Sequence, residues 1–171
     1  MSSTPAEGRE VPWLDDDELA DWLAISGVLL VLPAVLDAQL QRDAGVSLFS
    51  YLVMARLSEV PERTLQMSQL AAITHGSLSK LSHAVTSLER HGWVRRRPSG
   101  EGRATVATLT DAGHEKLVRT APGHVATVRE VVLDPLAPQQ RRALADAAAL
   151  VLGALGAAGA LRVADRPSSG G

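Results

Sequence analysis

The side chains best suited to chemistry follow one another at helical spacing between residues 77 and 90. At about 100° of rotation per residue, one side of this segment is apolar and the other is polar. The polar side has no carboxylate, although the chain has 19 acidic residues. Hydroxyl groups and cations hydrogen-bond to phosphates and base edges, so they predict a contact with the major groove of duplex DNA. The predicted contacts are Ser79, Lys80, Ser82, His83, Thr86 and Ser87, with Arg90 on the same side.

Two residues of this segment have a second interpretation. Ser77 precedes the helical pattern, and as an N-cap its hydroxyl would accept a hydrogen bond from a backbone N–H of the first turn. The same end of a helix attracts anions, so a phosphate contact by Ser77 also stays open. His83 is either a solvated surface histidine or a reader of bases, and the residues alone leave both alternatives open.

The apolar side of the segment predicts the surface that faces the core. A shorter helix precedes this one, Gly76 supplies the turn between them, and Gly92 predicts the end of the second helix. Glu89 lies beside the apolar stripe and not on the polar face. The stripe consists of Leu78, Leu81, Val85 and Leu88.

An arginine-rich β-hairpin follows the second helix. Trp93 and Val94 begin a strand that continues into three arginines at 95–97, and residues 104–109 are rich in Val and Thr, as a returning strand should be. Arg103 falls near the tip of the hairpin, where it could enter a narrow minor groove. The alternative is that these arginines only keep the hairpin soluble. Turn residues between the strands are Pro98, Ser99, Gly100 and Gly102.

Two helices followed by a basic hairpin predict a winged helix-turn-helix. Residues 75–103 contain six Lys or Arg and two Glu, a local net charge of +4 in a chain whose net charge is −2. A basic segment on an acidic body concentrates the attraction for a polyanion on one surface. We therefore expect Arg96 and Arg97 to hold phosphate groups, in addition to the minor-groove contact of Arg103.

The chain resembles the MarR family of bacterial transcription regulators from Trp13 to about Leu155. The matching motifs are Leu70-Ala71, then Ser79 to Leu88-Glu89-Arg90-His91-Gly92, then Arg96-Arg97-Pro98, and Leu109-Thr110-Asp111-Ala112-Gly113. The family's Asp-x-Arg of the wing corresponds to Glu101-Gly102-Arg103 here. The resemblance implies a homodimer held together by its N- and C-terminal helices, binding a near-palindromic site.

The ends of the chain predict the helices that such a dimer needs. Residues 15–42 form a helical pattern with acidic residues in the first turn, where the helix dipole favours them. Pro33 should kink or break this helix near Leu32. Residues 111–133 and 138–155 predict two more helices, with interruptions at Pro122-Gly123 and at Asp134-Pro135. The first long helix has more apolar residues than one side of a monomer needs: Leu19, Trp22, Leu23, Ile25, Leu29, Leu30, Leu32, Leu36 and Leu40.

The resemblance also implies a small ligand, often a phenolic or aromatic acid, bound between the dimerisation helices and the winged domain. Such a ligand would release the DNA. Arg56 could pair with a ligand carboxylate or with Glu59 or Glu62. The apolar candidates could equally be plain core. The candidate lining residues are Trp22, Ile25 and Leu29 on the first long helix, and Tyr51, Met54 and Arg56 on the next.

Other classes of function have little support in the sequence. The chain has no cysteine, which excludes disulfides and thiol-based redox sensing. No two of its five histidines have chelating spacing, so we expect no metal and no cofactor. It has no nucleophile elbow, phosphate-binding glycine loop or HExxH motif, so we expect no enzyme. A winged helix used only for protein contacts remains the alternative, which the salt dependence of DNA binding would test.

The expected fold is mainly α with a small β-hairpin wing. We expect a flexible N-terminus at 1–12, a dimerisation helix region at 13–45, a winged helix-turn-helix at 46–110, dimerisation helices at 111–157 and a flexible tail at 158–171. The N-terminus lacks the pattern of a secretion signal. The apolar run from Leu29 to Leu36 is interrupted by Pro33 and ended by Asp37, well short of the ~20 residues needed to span a bilayer. A cytoplasmic protein without membrane contact is therefore expected.

Overall fold

The computed structural model describes residues 12–99 and 104–164, with side chains described up to residue 156. The chain forms two compact units, one up to Thr120 and one from Ala121 onward. The expected class is confirmed, because helices predominate and one small antiparallel sheet accompanies them. The elements are α1 (Asp16–Ala44), α2 (Leu48–Ser58), a 3-10 turn (Pro61–Arg63), β1 (Thr64–Gln66), α3 (Met67–Ile73), α4 (Leu78–Arg90), β2 (Val94–Pro98), β3 (Thr105–Leu109), α5 (Asp111–Val128), a π-helical turn (Arg129–Leu133) and α6 (Pro138–Ala164).

Helix α1 begins and ends where its sequence provides caps. Asp15 accepts a hydrogen bond from the Glu18 N–H at 2.8 Å, and the Glu18 carboxylate accepts one from the Asp15 N–H at 3.1 Å. Gly45 ends the helix with a φ of 64°, a conformation that glycine adopts without strain. The helix continues through Pro33, so of the two predicted outcomes, a kink or a break, the break is wrong. Proline removes one N–H donor, whereas the turns on either side keep theirs, and Leu40 beyond it is fully buried.

The length of α1 also changes the membrane prediction. In the part of the chain that the structure describes, α1 is the one helix long and apolar enough, by length and composition only, to cross a membrane. The prediction of a stretch too short to span had relied on Pro33 as an interruption and on Asp37 as the end of the apolar run. Length alone therefore does not distinguish a spanning helix from one whose apolar surface is covered by protein.

The sheet contains a strand that the sequence pattern did not predict. Its order is β1-β3-β2, and both pairings are antiparallel. Strand β1 has only three residues, and its partner β3 lies about 40 residues away along the chain, so no local alternation indicates it. The Thr64 and Thr108 hydroxyls lie 2.8 Å apart across this pair. β2, the first strand of the hairpin, is therefore at the edge of the sheet.

The core of the first unit contains most of the predicted stripe of α4. Leu81, Val85 and Leu88 are buried, as expected, together with Leu40 and Met54. Leu78 differs from the prediction, because 59% of it is exposed. It is the first residue of α4, so it lies beyond the part of the helix on which the core packs.

In the C-terminal region, one predicted interruption is absent and the other is present. Helix α5 runs through Pro122, so the predicted interruption at Pro122-Gly123 is wrong for the same reason as at Pro33. After Val128 the helix widens into the π-helical turn, which ends at Leu133. The second interruption, predicted at Asp134-Pro135, is therefore present. Helix α6 then extends to Ala164, beyond the expected end at 155.

Candidate nucleic-acid interface

The turn between α3 and α4 is tightly packed against the only phenylalanine of the chain. A Cβ added to Gly76 would lie 2.5 Å from the Phe49 ring, so only glycine fits without movement. Ser77 then caps α4, as predicted, and accepts a hydrogen bond from the Lys80 N–H at 3.1 Å. The cap fixes where α4 begins and therefore which side chains face outward.

The polar face of α4 is mostly exposed. Ser79, Lys80, His83 and Ser87 point away from the core, with Arg90 near the end of the helix. The Lys80 ammonium lies 4.5 Å from the centre of the Phe49 ring, a distance typical of a cation–π contact. No carboxylate interrupts this exposed surface, because Glu89 on the same helix is partly buried and faces the hairpin.

Two of the predicted DNA contacts are turned toward the hairpin and not into solvent. Ser82 and Thr86 are partly buried, and both accept hydrogen bonds from the Arg96 guanidinium, at 3.4 and 3.0 Å. The Thr86 hydroxyl donates its own proton to the Ser82 carbonyl oxygen at 2.9 Å. Its remaining lone pairs are therefore free to accept from Arg96.

Arg96 also forms a forked contact with Glu89. Its backbone N–H donates to Glu89 Oε1 and its side-chain Nε donates to Glu89 Oε2, both at 2.8 Å. Partial burial of Glu89 raises the pKa of its carboxyl, but the hydrogen bonds and the charge of Arg96 outweigh this and lower that pKa below its usual range. The ion pair therefore stays charged at neutral pH.

The three arginines of β2 differ in their surroundings. Arg95 and Arg97 are exposed, whereas the side chain of Arg96 is 29% exposed. The Ser99 N–H donates to the Ala104 carbonyl at 2.7 Å and closes the described part of the hairpin. The predicted minor-groove residue Arg103, and Glu101 and Gly102 beside it, lie outside the described residues.

The base of the hairpin contains contacts that sequence reasoning did not identify. The Thr110 hydroxyl donates to the Gly92 carbonyl oxygen at 2.7 Å and accepts from the Gly113 N–H at 3.1 Å. Lys116 donates to the Ala44 carbonyl at 2.6 Å and lies 5.1 Å from the Trp93 ring centre. Thr110 and Gly113 had a signal in the Leu-Thr-Asp-Ala-Gly motif, whereas Lys116 had none.

The structure places the six predicted ligand-binding residues in different surroundings. Met54 and Tyr51 are buried in the core, because they lie on the inner side of α2. Trp22, Ile25 and Leu29 are at least half exposed on α1. Arg56 pairs with Glu59 at 2.9 Å, which was one of the three predicted partners.

A cleft of about 820 Å³ lies instead on the other side of α2. α1 contributes Leu30, Pro33 and Ala34 to it, and α2 contributes Leu48 and Leu52. Its remaining lining residues include Phe49, His75, Lys80 and Ser87, so it reaches the polar face of α4. Among the residues described, no three His, Cys, Asp or Glu side chains come together as a candidate metal site.

Comparison with solved structures identifies similar proteins, although no family model and no curated protein matches the chain. Sco3205 of Streptomyces coelicolor, a MarR family transcriptional regulator solved in complex with DNA, is 42% identical with a TM-score of 0.83; the match covers 86% of this chain and 93% of that one. AbsC of the same organism, also a MarR family transcriptional regulator, is 34% identical with a TM-score of 0.80, covering 86% and 99% of the two chains. The regulator BldR of Sulfolobus solfataricus shares the fold, at 20% identity and a TM-score of 0.70 over 81% and 96% of the two chains.

Proposed function

The chain belongs to the MarR family of transcriptional regulators, and from that membership we propose that it is a homodimeric repressor of a pseudo-palindromic operator in duplex DNA. The observation that carries the proposal is the exposed face of α4. Its hydroxyls, imidazole and ammonium can donate to base edges and phosphates, and no carboxylate repels the polyanion there.

The proposed contacts divide between α4 and the wing. Ser79, Lys80, His83 and Ser87 enter the major groove, and the N-terminal end of α4 at Ser77 lies near a phosphate. Arg97 holds phosphate at the wing, and Arg103 enters the minor groove. Ser82, Thr86 and Arg96 support this surface from behind, since they hydrogen-bond to one another.

Dimerisation is proposed from the apolar surface of the terminal helices. A monomer rarely exposes so many large apolar side chains in continuous patches. A second copy would cover them, and two-fold symmetry would place the two α4 helices about 34 Å apart. Family membership favours a second copy of the chain, and not a bilayer, as the surface that covers the apolar side chains of α1. The protein is then cytoplasmic. Large apolar residues exposed on α1 include Trp22, Leu23, Val28, Leu29, Leu30 and Val31, and those on α6 include Leu144, Leu150, Val151 and Leu155.

Release by a small aromatic acid is proposed for the cleft beside α2. A ligand ring can stack on Phe49, and its carboxylate can pair with Lys80, which would draw Lys80 away from DNA. The ligand must bind the DNA-free arrangement better than the DNA-bound one. A tenfold weakening of DNA binding requires a difference of only about 1.4 kcal/mol.

Selection from a random pool of duplexes at low ionic strength tests the DNA-binding proposal. The wild-type protein should retain duplexes that share an inverted repeat with half-sites about one helical turn apart. Its affinity should fall steeply between low and moderate salt, because bound phosphates release counterions. A winged helix used only for protein contacts would retain no shared sequence and show no such fall.

A further inference from the structure

Arg96 has a different task from its neighbours on β2. On the proposed DNA-binding function, the sequence predicts that Arg96 and Arg97 are both exposed and hold phosphate. Arg95 and Arg97 are exposed in that way, whereas Arg96 has Glu89, Thr86 and Ser82 as hydrogen-bond partners on α4. These partners account for all three nitrogens of its guanidinium group.

The hydrogen-bond partners of Arg96 lie one after another along α4. Ser82, Thr86 and Glu89 are spaced four and three residues apart, which places them in one row on a helix. The row spans about 10 Å at 1.5 Å per residue. A guanidinium lying along such a row restrains both the distance and the angle between strand and helix, because its fork is planar and rigid.

Glu89 also restrains the backbone of the strand. β2 is at the edge of the sheet, and the Arg96 N–H donates to Glu89 Oε1 instead of to another strand. One carboxylate thus accepts from the main chain and the side chain of the same residue. Both side chains are less than one-third exposed, at 29% and 28%, so water competes for these bonds less than at the surface.

We propose that Arg96 is a positioning residue which, together with Glu89, fixes the wing to α4 so that both elements meet the duplex in one orientation. The proposal rests on the proposed DNA binding and replaces the phosphate contact predicted for Arg96 from the sequence. Loss of the pair would leave both elements folded but free to change their relative angle. DNA affinity would then fall even though no contact to DNA had been removed.

Lysine substitutions distinguish positioning from phosphate contact. Arg96→Lys keeps the positive charge but loses the fork, so the wing is released, and affinity for a duplex selected by the wild-type protein should fall about tenfold. Arg97→Lys is the matched control on the same strand, and it should stay within about twofold because a lysine also holds phosphate. Equal, small effects of the two lysines would overturn the proposal.

Glu89→Gln tests the proposal by the direction in which DNA affinity changes. Removing this anion from the protein would strengthen DNA binding if only net charge mattered, or if it freed Arg96 for phosphate. Positioning requires the opposite, a loss of about five- to tenfold, close to that of Arg96→Lys. The double variant should be no weaker than Arg96→Lys alone, because both changes break the same pair. Tighter binding by Glu89→Gln would contradict the proposal.

Amide hydrogen exchange, measured without DNA, tests whether the Glu89–Arg96 pair fixes the wing to α4. In Glu89→Gln and Arg96→Lys, the backbone amide of residue 96 should exchange at least about tenfold faster than in the wild type, while the amides of α1 stay unchanged. Arg97→Lys should leave every rate unchanged. If the wild-type protein selects no duplex, the DNA-binding proposal fails and positioning for DNA fails with it. If DNA binds but the Arg96 amide is unaffected, only the positioning role fails.

Discussion

Helices α1 and α4 are both rich in leucine, but their apolar residues have different surroundings. The stripe of α4 is narrow, and the chain's own core buries Leu81, Val85 and Leu88. The apolar residues of α1 occupy most of its circumference, and in its first two-thirds they are largely exposed. A narrow apolar stripe indicates a helix whose apolar side chains are buried by its own domain. A helix that is apolar all round needs a further surface to cover its other side chains. The difference separates residues that maintain the fold from residues that maintain an assembly.

The largest effect should come from a charge placed in the stripe of α4. Leu81→Asp buries a carboxylate at a fully buried position and should destabilise the winged domain by about 5 kcal/mol or more. Leu78→Asp is the matched control at the exposed end of the same stripe, and it should remain folded. Circular dichroism with thermal unfolding measures both. A folded Leu81→Asp variant would contradict the burial of this side chain.

The same kind of change on α1 should break the assembly but not the fold. Leu29→Glu places a charge on a side chain that is 61% exposed in the single chain. If a second copy covers it, light scattering should show a monomer with an intact thermal transition of the winged domain. DNA affinity should fall about a hundredfold or more, because two linked binding modules gain that much from avidity. A dimer with unchanged affinity would place the interface elsewhere.

Two helical glycines allow a finer form of the comparison. A Cβ at Gly113 in α5 would lie 2.1 Å from the Trp93 carbonyl oxygen, so Gly113→Ala should destabilise the protein by about 1–3 kcal/mol. At Gly27 in α1 nothing lies within 4 Å, and Gly27→Ala should stabilise the single chain by up to about 1 kcal/mol. Unfolding in urea measures both changes. Loss of the dimer in Gly27→Ala would show that a partner backbone approaches this glycine closely.

The smallest effect expected is the pH dependence of the Glu89–Arg96 pair. The folded pKa of Glu89 lies below its usual range, so the pair contributes stability above the ordinary glutamate pKa of about 4.3. This contribution is lost as the pH falls through the lowered folded pKa. The wild type should therefore exceed Glu89→Gln in stability by about 1 kcal/mol, equally at pH 7 and pH 5, and the difference should shrink below about pH 4. A difference that grows on acidification would have the wrong sign.

Much of the local structure could be predicted because its causes lie within a few residues. The capping of α4 by Ser77, the end of that helix near Gly92 and the strands of the hairpin follow from local hydrogen bonds and backbone preferences. The predicted interruptions at Pro33 and Pro122 failed because one missing N–H does not decide the course of a helix whose neighbouring turns remain bonded. Strand β1 was missed because its pairing partner is distant in sequence.

The sequence by itself determined the helix-turn-helix, the hairpin, the face of α4 without carboxylates and the family to which they are similar. Only the tertiary structure decided that Arg96 turns to Glu89 while Arg95 and Arg97 stay exposed, and that Tyr51 and Met54 face the core while Phe49 faces a cleft. The reason is physical. Spacing along the chain fixes which residues share a face, and alternation along a strand already separates Arg96 from Arg95 and Arg97. The partner of a side chain, however, depends on which other element packs against that face.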